Sequence, residues 1–211
     1  MAVEVDLFPA SDFDGWASTY DHDVLHEARF PFTGYRCALD MVVRLAEPQP
    51  GTLVLDIGTG TGNLAALFAM HGCCLWGTDF SPAMLAAATR KLPQVRFVLA
   101  DVRQGWPAGL PPVFDRIVSA YTFHHFELAE KVSLLVEFAG HLAAHGRLVV
   151  ADIAFTDAHS QANMRQAVGE AWEDEFYWLA DETLPALQRA GLMARFMPVS
   201  ACAGVFVMEK S

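Results

Sequence analysis

The stretch Leu53-Val54-Leu55-Asp56-Ile57-Gly58-Thr59-Gly60-Thr61-Gly62-Asn63-Leu64 decides the fold of this 211-residue chain. Residues 52–57 are a short apolar run rich in β-formers, set off from what precedes by Pro48, Pro50 and Gly51. Glycines at 58, 60 and 62 make a turn, and residues 63–70 carry helix formers up to a stop at His71-Gly72. Strand, turn and helix therefore succeed one another without a spare residue. Glycine serves such a turn because the backbone visits positive φ and because a β-carbon would hold a ligand away from the main chain. Dinucleotide-binding turns read GxGxxG and bring a pyrophosphate to a helix N-terminus. Here the spacing is GxGxG with Asp56 two residues ahead of it. A carboxylate at that point repels a pyrophosphate and suits a ligand carrying an ammonium group. A tight strand-to-helix turn with no ligand is the alternative reading.

The same unit repeats downstream. Residues 74–78 form a strand ending at Asp79, Ser81 fits an N-cap with Pro82 at the first helical position, and Pro93 ends that helix. Residues 95–100 are a third strand ending at Asp101, followed over 103–112 by a Gly- and Pro-rich crossover that is mostly loop. Residues 114–120 are a fourth strand and 147–153 a fifth. Between them, residues 128–142 form a helix with Leu134, Leu135, Phe138 and Leu142 on one side. Alternating strands and helices imply a parallel sheet with right-handed crossovers. A helical insert around 161–178, a helix over 183–190 and strands at 192–199 and 204–208 follow. The last two strands are too closely spaced for a crossover and must form an antiparallel hairpin. Ahead of the first strand lies an aromatic leader with Phe8, Phe13, Trp16, Tyr20, Phe30, Phe32 and Tyr35, helical over 35–45 and laid over a core. The fold class is α/β: a seven-stranded, mostly parallel sheet with helices on both faces and a C-terminal antiparallel hairpin.

With these elements in place, the segment from Asp56 to Asn63 resembles motif I of the class I S-adenosylmethionine-dependent methyltransferases. The resemblance extends from Phe13 to Glu209 and implies a Rossmann-like fold, with S-adenosyl-L-methionine as cofactor and S-adenosyl-L-homocysteine as product. It implies a single domain. Residues 1–50 would be an N-terminal helical lid, 51–154 a cofactor-binding core, 155–180 a helical insert over the substrate, and 181–211 a C-terminal helix and hairpin. The cofactor contacts it implies fall on Asp56, Gly58, Thr59 and Gly60 in the turn, and on positions at the carboxyl ends of later strands, where open α/β sheets bind ligands. Asp79 would accept the ribose hydroxyls, with Phe80 and Met84 facing the adenine. In Ala100-Asp101-Val102 the Asp101 carboxylate would accept the adenine amino group while a backbone amide reads the ring. For both aspartates the alternative is a helix N-cap or a loop carboxylate. The stretch from Ser119 through Ala120, Tyr121, Thr122, Phe123, His124, His125 and Phe126 would lie beside the sulfonium and the acceptor. It lacks the Asn/Asp-Pro-Pro-Tyr/Phe motif of amino-methylating DNA and protein enzymes, and Ser119 stands where metal-dependent catechol O-methyltransferases carry an aspartate, so no metal is expected. His124 is the candidate to take a proton from an acceptor hydroxyl or thiol, since imidazole titrates near neutral pH. Alternatively, both histidines pack against or cap the helix that starts near Glu127. The stretch from Asp14 to Asp21 resembles the family's WxxxYD-like segment that closes over the cofactor, where Tyr20 would bond the methionyl carboxylate and Trp16 would cover the pocket. Burial of both rings against a core is the competing reading.

Composition bounds the partners. A net charge of -11 with 18% charged residues excludes a phosphate-tracking basic surface, so nucleic acid is not expected. No apolar run approaches the ~20 residues of a membrane span, and Glu4 and Asp6 near the start do not read as a secretory signal. A cytoplasmic protein, monomer or homodimer, acting on a small-molecule acceptor is the expectation. Cys73 and Cys74 are adjacent, Cys37 and Cys202 isolated; this is neither a disulfide scaffold nor a CxxC clip, and predicts buried free thiols. Methyl transfer from a sulfonium favours a dry, aromatic-lined site. Tyr20, Tyr121 and Phe123 are candidates to hold the cation, at ~1 to 2 kcal/mol each, with Trp172, Phe176, Tyr177 and Trp178 as walls around a small apolar acceptor. The rival readings are an NAD(P)-dependent oxidoreductase, a non-catalytic S-adenosylmethionine sensor, and a different reaction of the same cofactor.

Overall fold

A computed structural model describes residues 9–24 and 29–210, so Glu4, Asp6 and Phe8 lie outside the described residues. Strands β1 (Leu53–Ile57), β2 (Cys74–Asp79), β3 (Arg96–Leu99), β4 (Phe114–Ala120) and β5 (Leu142–Phe155) pair in parallel in the order β3-β2-β1-β4-β5. The last strand, β8 (Ala203–Lys210), joins β5 antiparallel, and β7 (Leu192–Pro198) pairs antiparallel with β8, which is the expected hairpin. A two-residue strand, β6 (Trp178–Leu179), pairs with the end of β5 and makes an eighth that the sequence reading did not contain.

The helices are α1 (Ala10–Trp16), α2 (Tyr20–Val24), α3 (Tyr35–Ala46), α4 (Asn63–Met70), α5 (Pro82–Lys91), α6 (Leu128–Gly140), α7 (Ala158–Val168) and α8 (Ala180–Arg189). Successive strand residues point to opposite faces of a sheet, and here both faces are covered. Val54, Val118, Val149 and Ala151 pack with Leu39 and Val42 of α3 and Phe68 of α4. Their neighbours Leu55, Ile117, Leu148 and Val150 pack with Leu134, Leu135 and Phe138 of α6 and Leu187 of α8. Burial on both sides explains why these strands read as continuous apolar runs rather than as alternations. Each fully buried aliphatic or phenyl side chain contributes roughly 1.5–3 kcal/mol. Local signals are realised where the sequence is explicit: Ser81 Oγ accepts from Met84 N at 3.1 Å as the N-cap of α5.

Three expectations are corrected. The insert is helical only through α7 and a 3-10 turn at Gly169–Ala171, after which residues 172–177 lead into β6 without regular structure. That run is pinned by Phe176 N donating to His124 O at 3.0 Å and by Lys131 Nζ donating to Phe176 O. Tyr177, just ahead of β6, and Trp178, within it, enter opposite cores, as successive residues of a strand do. β5 begins at Leu142, where residues 128–142 were expected to be helix; α6 stops at Gly140. Of the four free cysteines only Cys202 is buried; Cys37 and Cys74 are exposed, on an outward position of α3 and at the start of β2. Among the described residues no helix is long and apolar enough to cross a membrane.

Candidate active site

The neighbours of β1 are β2 on one side and β4 on the other. Chain crossovers leave β1 in opposite directions there, and a crevice opens beyond its carboxyl end. A cavity of about 370 Å³ fills this crevice, bordered by every candidate cofactor contact named above, from Trp16 and Tyr20 to Ala120, and by His124, but not by Phe123, Trp172, Phe176 or Trp178. Asp56, Asp79 and the glycine turn thus converge on a common hollow.

The turn explains its own glycines. Gly58 sits at φ +64°, and a β-carbon there would fall 2.2 Å from Thr122 Oγ1. Gly60, at φ +53°, has no atom of the described residues, its two chain neighbours apart, within 4 Å of where a β-carbon would stand, and it borders the cavity. Asp79, at the end of β2 and 7% exposed, accepts from Gly60 N at 2.8 Å and from Ser81 N at 2.9 Å. It ties the turn to the start of α5, and burial raises its carboxyl above the ordinary range. Asp56 is 1% exposed at the end of β1; its Oδ2 accepts from Thr59 Oγ1 at 2.8 Å while Oδ1 has no partner among the described residues. Burial pushes this carboxyl up to about 7. Asp101 borders the cavity, but both of its oxygens are taken by Arg103, through the backbone N at 2.9 Å and the guanidinium at 2.9 and 3.0 Å. It caps the 3-10 turn Val102–Gln104, realising the capping alternative.

The leader closes one side. Trp16 meets Tyr20 edge-on at 4.7 Å and donates through Nε1 to Asp23 at 2.7 Å. Tyr20 is partly buried, and the loss of solvent lifts its phenol well above its usual range. Two acids fasten these helices to the segments that follow β1 and β2. Asp14 accepts from Ser81 Oγ at 2.5 Å and Ala83 N at 3.1 Å, and Asp21 accepts from Thr61 Oγ1 at 2.5 Å while pairing with Lys91 at 2.7 Å. Both lie within the family-like segment Asp14 to Asp21, but sequence reasoning gave neither of them a role.

At the far end of the cavity a buried polar cluster replaces the aromatic lining expected there. His124 Nδ1 donates to Asp152 Oδ1 at 2.5 Å, and Asp152 Oδ2 accepts from His124 N and from Trp178 Nε1, both at 3.0 Å. Burial opposes a charged imidazole, but the Asp152 carboxylate outweighs it and holds His124 above its ordinary value; His124 in return holds the buried Asp152 below its own. Glu175 faces both histidines, with its carboxyl raised by burial. His125 is driven down to about 2, first by burial and then by His124, and stays neutral. Asp152 and Glu175 were missed; the one available signal was an acid, Asp152, within the otherwise apolar run 148–155 of β5. Phe123 and Trp178 belong to the opposite core, with Phe123 against Phe138 and Trp178 against Phe206, so neither faces a ligand. Trp172 stands behind Phe30, stacked at 5.1 Å, while Tyr177, Glu173 and Glu175 take the wall position.

Residues 54–146 match the family model described as a methyltransferase domain. The uncharacterized methyltransferase YrrT of Bacillus subtilis (strain 168) is 35% identical over 174 residues, covering 81% of this chain and 78% of that protein. Among solved structures, the DhpI-SAM-HEP complex superposes with a TM-score of 0.74 at 17% identity, over 99% of this chain and 100% of that one. Magnesium protoporphyrin IX methyltransferase (ChlM) from Synechocystis PCC 6803 with bound SAH gives 0.73 at 17% identity, over 96% and 100%. The solved structures establish the shared architecture. The sequence relatives go further and set aside the oxidoreductase reading, since identity of 35% across 81% of the chain is a family relationship: this chain belongs to the class I S-adenosylmethionine-dependent methyltransferases.

Proposed function

We propose that the protein transfers a methyl group from S-adenosylmethionine to a small molecule held against His124 and Glu175. The observation that carries this reading is the continuity of one cavity from Asp56, Gly60 and Asp79 to His124. The residues present fit the cofactor. The unpaired Oδ1 of Asp56 suits an ammonium group, since a buried carboxylate oxygen without a donor is costly. A carboxylate offers about four lone-pair sites, and the backbone N–H groups of Gly60 and Ser81 leave Asp79 room for two ribose hydroxyls. The open space above Gly60 admits a ligand to the main chain, Phe80, Met84 and Val102 border the place of an adenine, and Ala120 lies at the edge of β4. Asp101, held by Arg103, serves this end through the backbone it caps.

S-adenosylmethionine, when bound, supplies an electrophilic methyl group and leaves as S-adenosylhomocysteine by in-line displacement. The chain's part is alignment and exclusion of water. Trp16 and Tyr20 cover the cavity, while Asp14 and Asp21 hold their helices down. His124 presents Nε2 to the acceptor because Asp152 occupies Nδ1, and it takes the proton of a hydroxyl or thiol there. Phe30 and Tyr177 offer apolar contact, so the acceptor combines an apolar body with an ionisable head, which is more polar than composition alone suggested.

Turnover on a panel of thiols, phenols and amines, read as S-adenosylhomocysteine release, tests the reaction. Methylation of one class is expected. Tight binding of S-adenosylhomocysteine without turnover on any class would contradict catalysis and mark a sensor.

A further inference from the structure

Three side chains at the acceptor end form a donor set that proton transfer to His124 alone does not need. His124 Nε2 lies 3.9 Å from Glu175 Oε2, His125 Nδ1 lies 3.5 Å from Glu175 Oε1, and one ligating atom from each residue falls within 4.8 Å of the others. Donors bound at about 2.1 Å around a tetrahedral zinc ion stand about 3.4 Å apart. The observed spacing is therefore a small side-chain rotation from a three-ligand set. Two imidazole nitrogens and one carboxylate oxygen match zinc and its neighbours better than calcium or magnesium, which take oxygen shells.

Asp152 provides an independent observation. Its side chain is wholly buried, and its hydrogen bond to His124 Nδ1 at 2.5 Å selects the tautomer whose Nε2 lone pair is turned toward Glu175. A carboxylate behind the imidazole is how metal-ligating histidines are oriented. Asp152 is itself fixed by Trp178 Nε1 at 3.0 Å, so the orientation is built into β5 and β6. All three candidate ligands border the cavity, which leaves the remaining coordination position open toward a bound molecule, as in catalytic rather than structural zinc sites.

We propose that His124, His125 and Glu175 bind one divalent cation of the zinc class at the acceptor end, with Asp152 as the positioning carboxylate. The inference rests on the reading that this end of the cavity holds the acceptor. Cation and proton compete for the same Nε2 lone pair. In the loaded protein a hydroxyl or thiol acceptor therefore coordinates the cation and releases its proton to solvent, and His124 acts as a ligand.

Calorimetric titration of Zn²⁺ into the chelator-treated full-length chain tests this directly. One site per chain is expected, with the visible absorption of a tetrahedral complex when Co²⁺ replaces Zn²⁺. His125→Asn and Glu175→Gln should each weaken Zn²⁺ binding by at least about tenfold, and Asp152→Asn by roughly 10- to 100-fold. Near-ultraviolet circular dichroism and S-adenosylhomocysteine binding on the same samples establish folding. A sample that binds S-adenosylhomocysteine but takes up no stoichiometric Zn²⁺ overturns the cation site and leaves His124 as the base. So does binding that survives in both His125→Asn and Glu175→Gln. Zn²⁺ uptake with no S-adenosylhomocysteine binding keeps the cation site and overturns the methyl-transfer reading instead.

Discussion

At one end of the cavity Asp56, Gly58, Gly60 and Asp79 come from a single strand-turn-helix-strand unit within residues 56–79, whereas the other end draws His124, Asp152 and Glu175 from three separate segments. The first end is made largely of backbone: glycine φ angles and main-chain N–H groups pinned by Asp79. The second is made of side chains that hold one another, an Asp–His pair in β5 and the loop after β4, faced by an acid from the irregular segment ahead of β6. On the proposed function, the difference separates two tasks. A shared cofactor can be gripped by local geometry, while a particular acceptor is met by side chains on loops, where binding specificity usually resides.

Substitutions should divide along the same line. Asp152→Asn is expected to have the largest effect, lowering kcat by about 10²- to 10⁴-fold through loss of His124 orientation. Affinity for S-adenosylhomocysteine should change by less than about twofold; a large loss of affinity would show that the two ends are not separable. Asp79→Ala should do the reverse, weakening S-adenosylhomocysteine by at least about 100-fold, since two charge-assisted hydrogen bonds carry ~1.5–3 kcal/mol each. Circular dichroism checks that the fold stands.

The two glycines sharpen the first end further. Gly58→Ala collides with Thr122 and should lower Tm clearly, whereas Gly60→Ala carries only the positive-φ cost of roughly 1–2 kcal/mol. Gly60→Ala should nevertheless weaken S-adenosylhomocysteine by about tenfold, because its β-carbon enters ligand space. Equal Tm losses would sink the distinction.

Asp56 sets a smaller, pH-dependent effect. The folded carboxyl keeps its proton up to about 7, against 3.8 for an ordinary aspartate. The native state thus binds more protons across that window, and the stability of the ligand-free protein falls as pH rises through it. Relative to Asp56→Asn, the wild type should lose Tm steadily from pH 4 to pH 7; parallel curves would refute the assignment. The smallest effect is expected at Asp101→Asn, under about threefold in affinity, because Arg103 already engages both oxygens.

Legibility in the sequence followed the same division. β1, its glycine turn, α4 and the Ser81 cap announce themselves within a few consecutive residues, and β4 runs between the expected limits of 114 and 120. Asp56 and Asp79 were identifiable because a strand end adjoining glycine or an N-cap is a local pattern. The cluster at the other end was not: Asp152 meets His124 only through the pairing of β4 with β5, and Glu175 depends on residues 172–177 leaving the helix for an irregular course. Aromatic density around Trp172 to Trp178 suggested a helix and an aromatic wall, but alternation at the start of β6 put Trp178 in the opposite core. Which of the many buried rings faces a ligand is decided by tertiary packing, and Phe123 was misjudged for that reason.

A crystal structure with S-adenosylhomocysteine tests the division of the cavity most directly. The account predicts the amino group against Asp56 Oδ1, the ribose on Asp79, and the sulfur turned toward His124 and Glu175 across the space left for an acceptor. A ligand bound elsewhere, or one whose sulfur points away from that cluster, would contradict it.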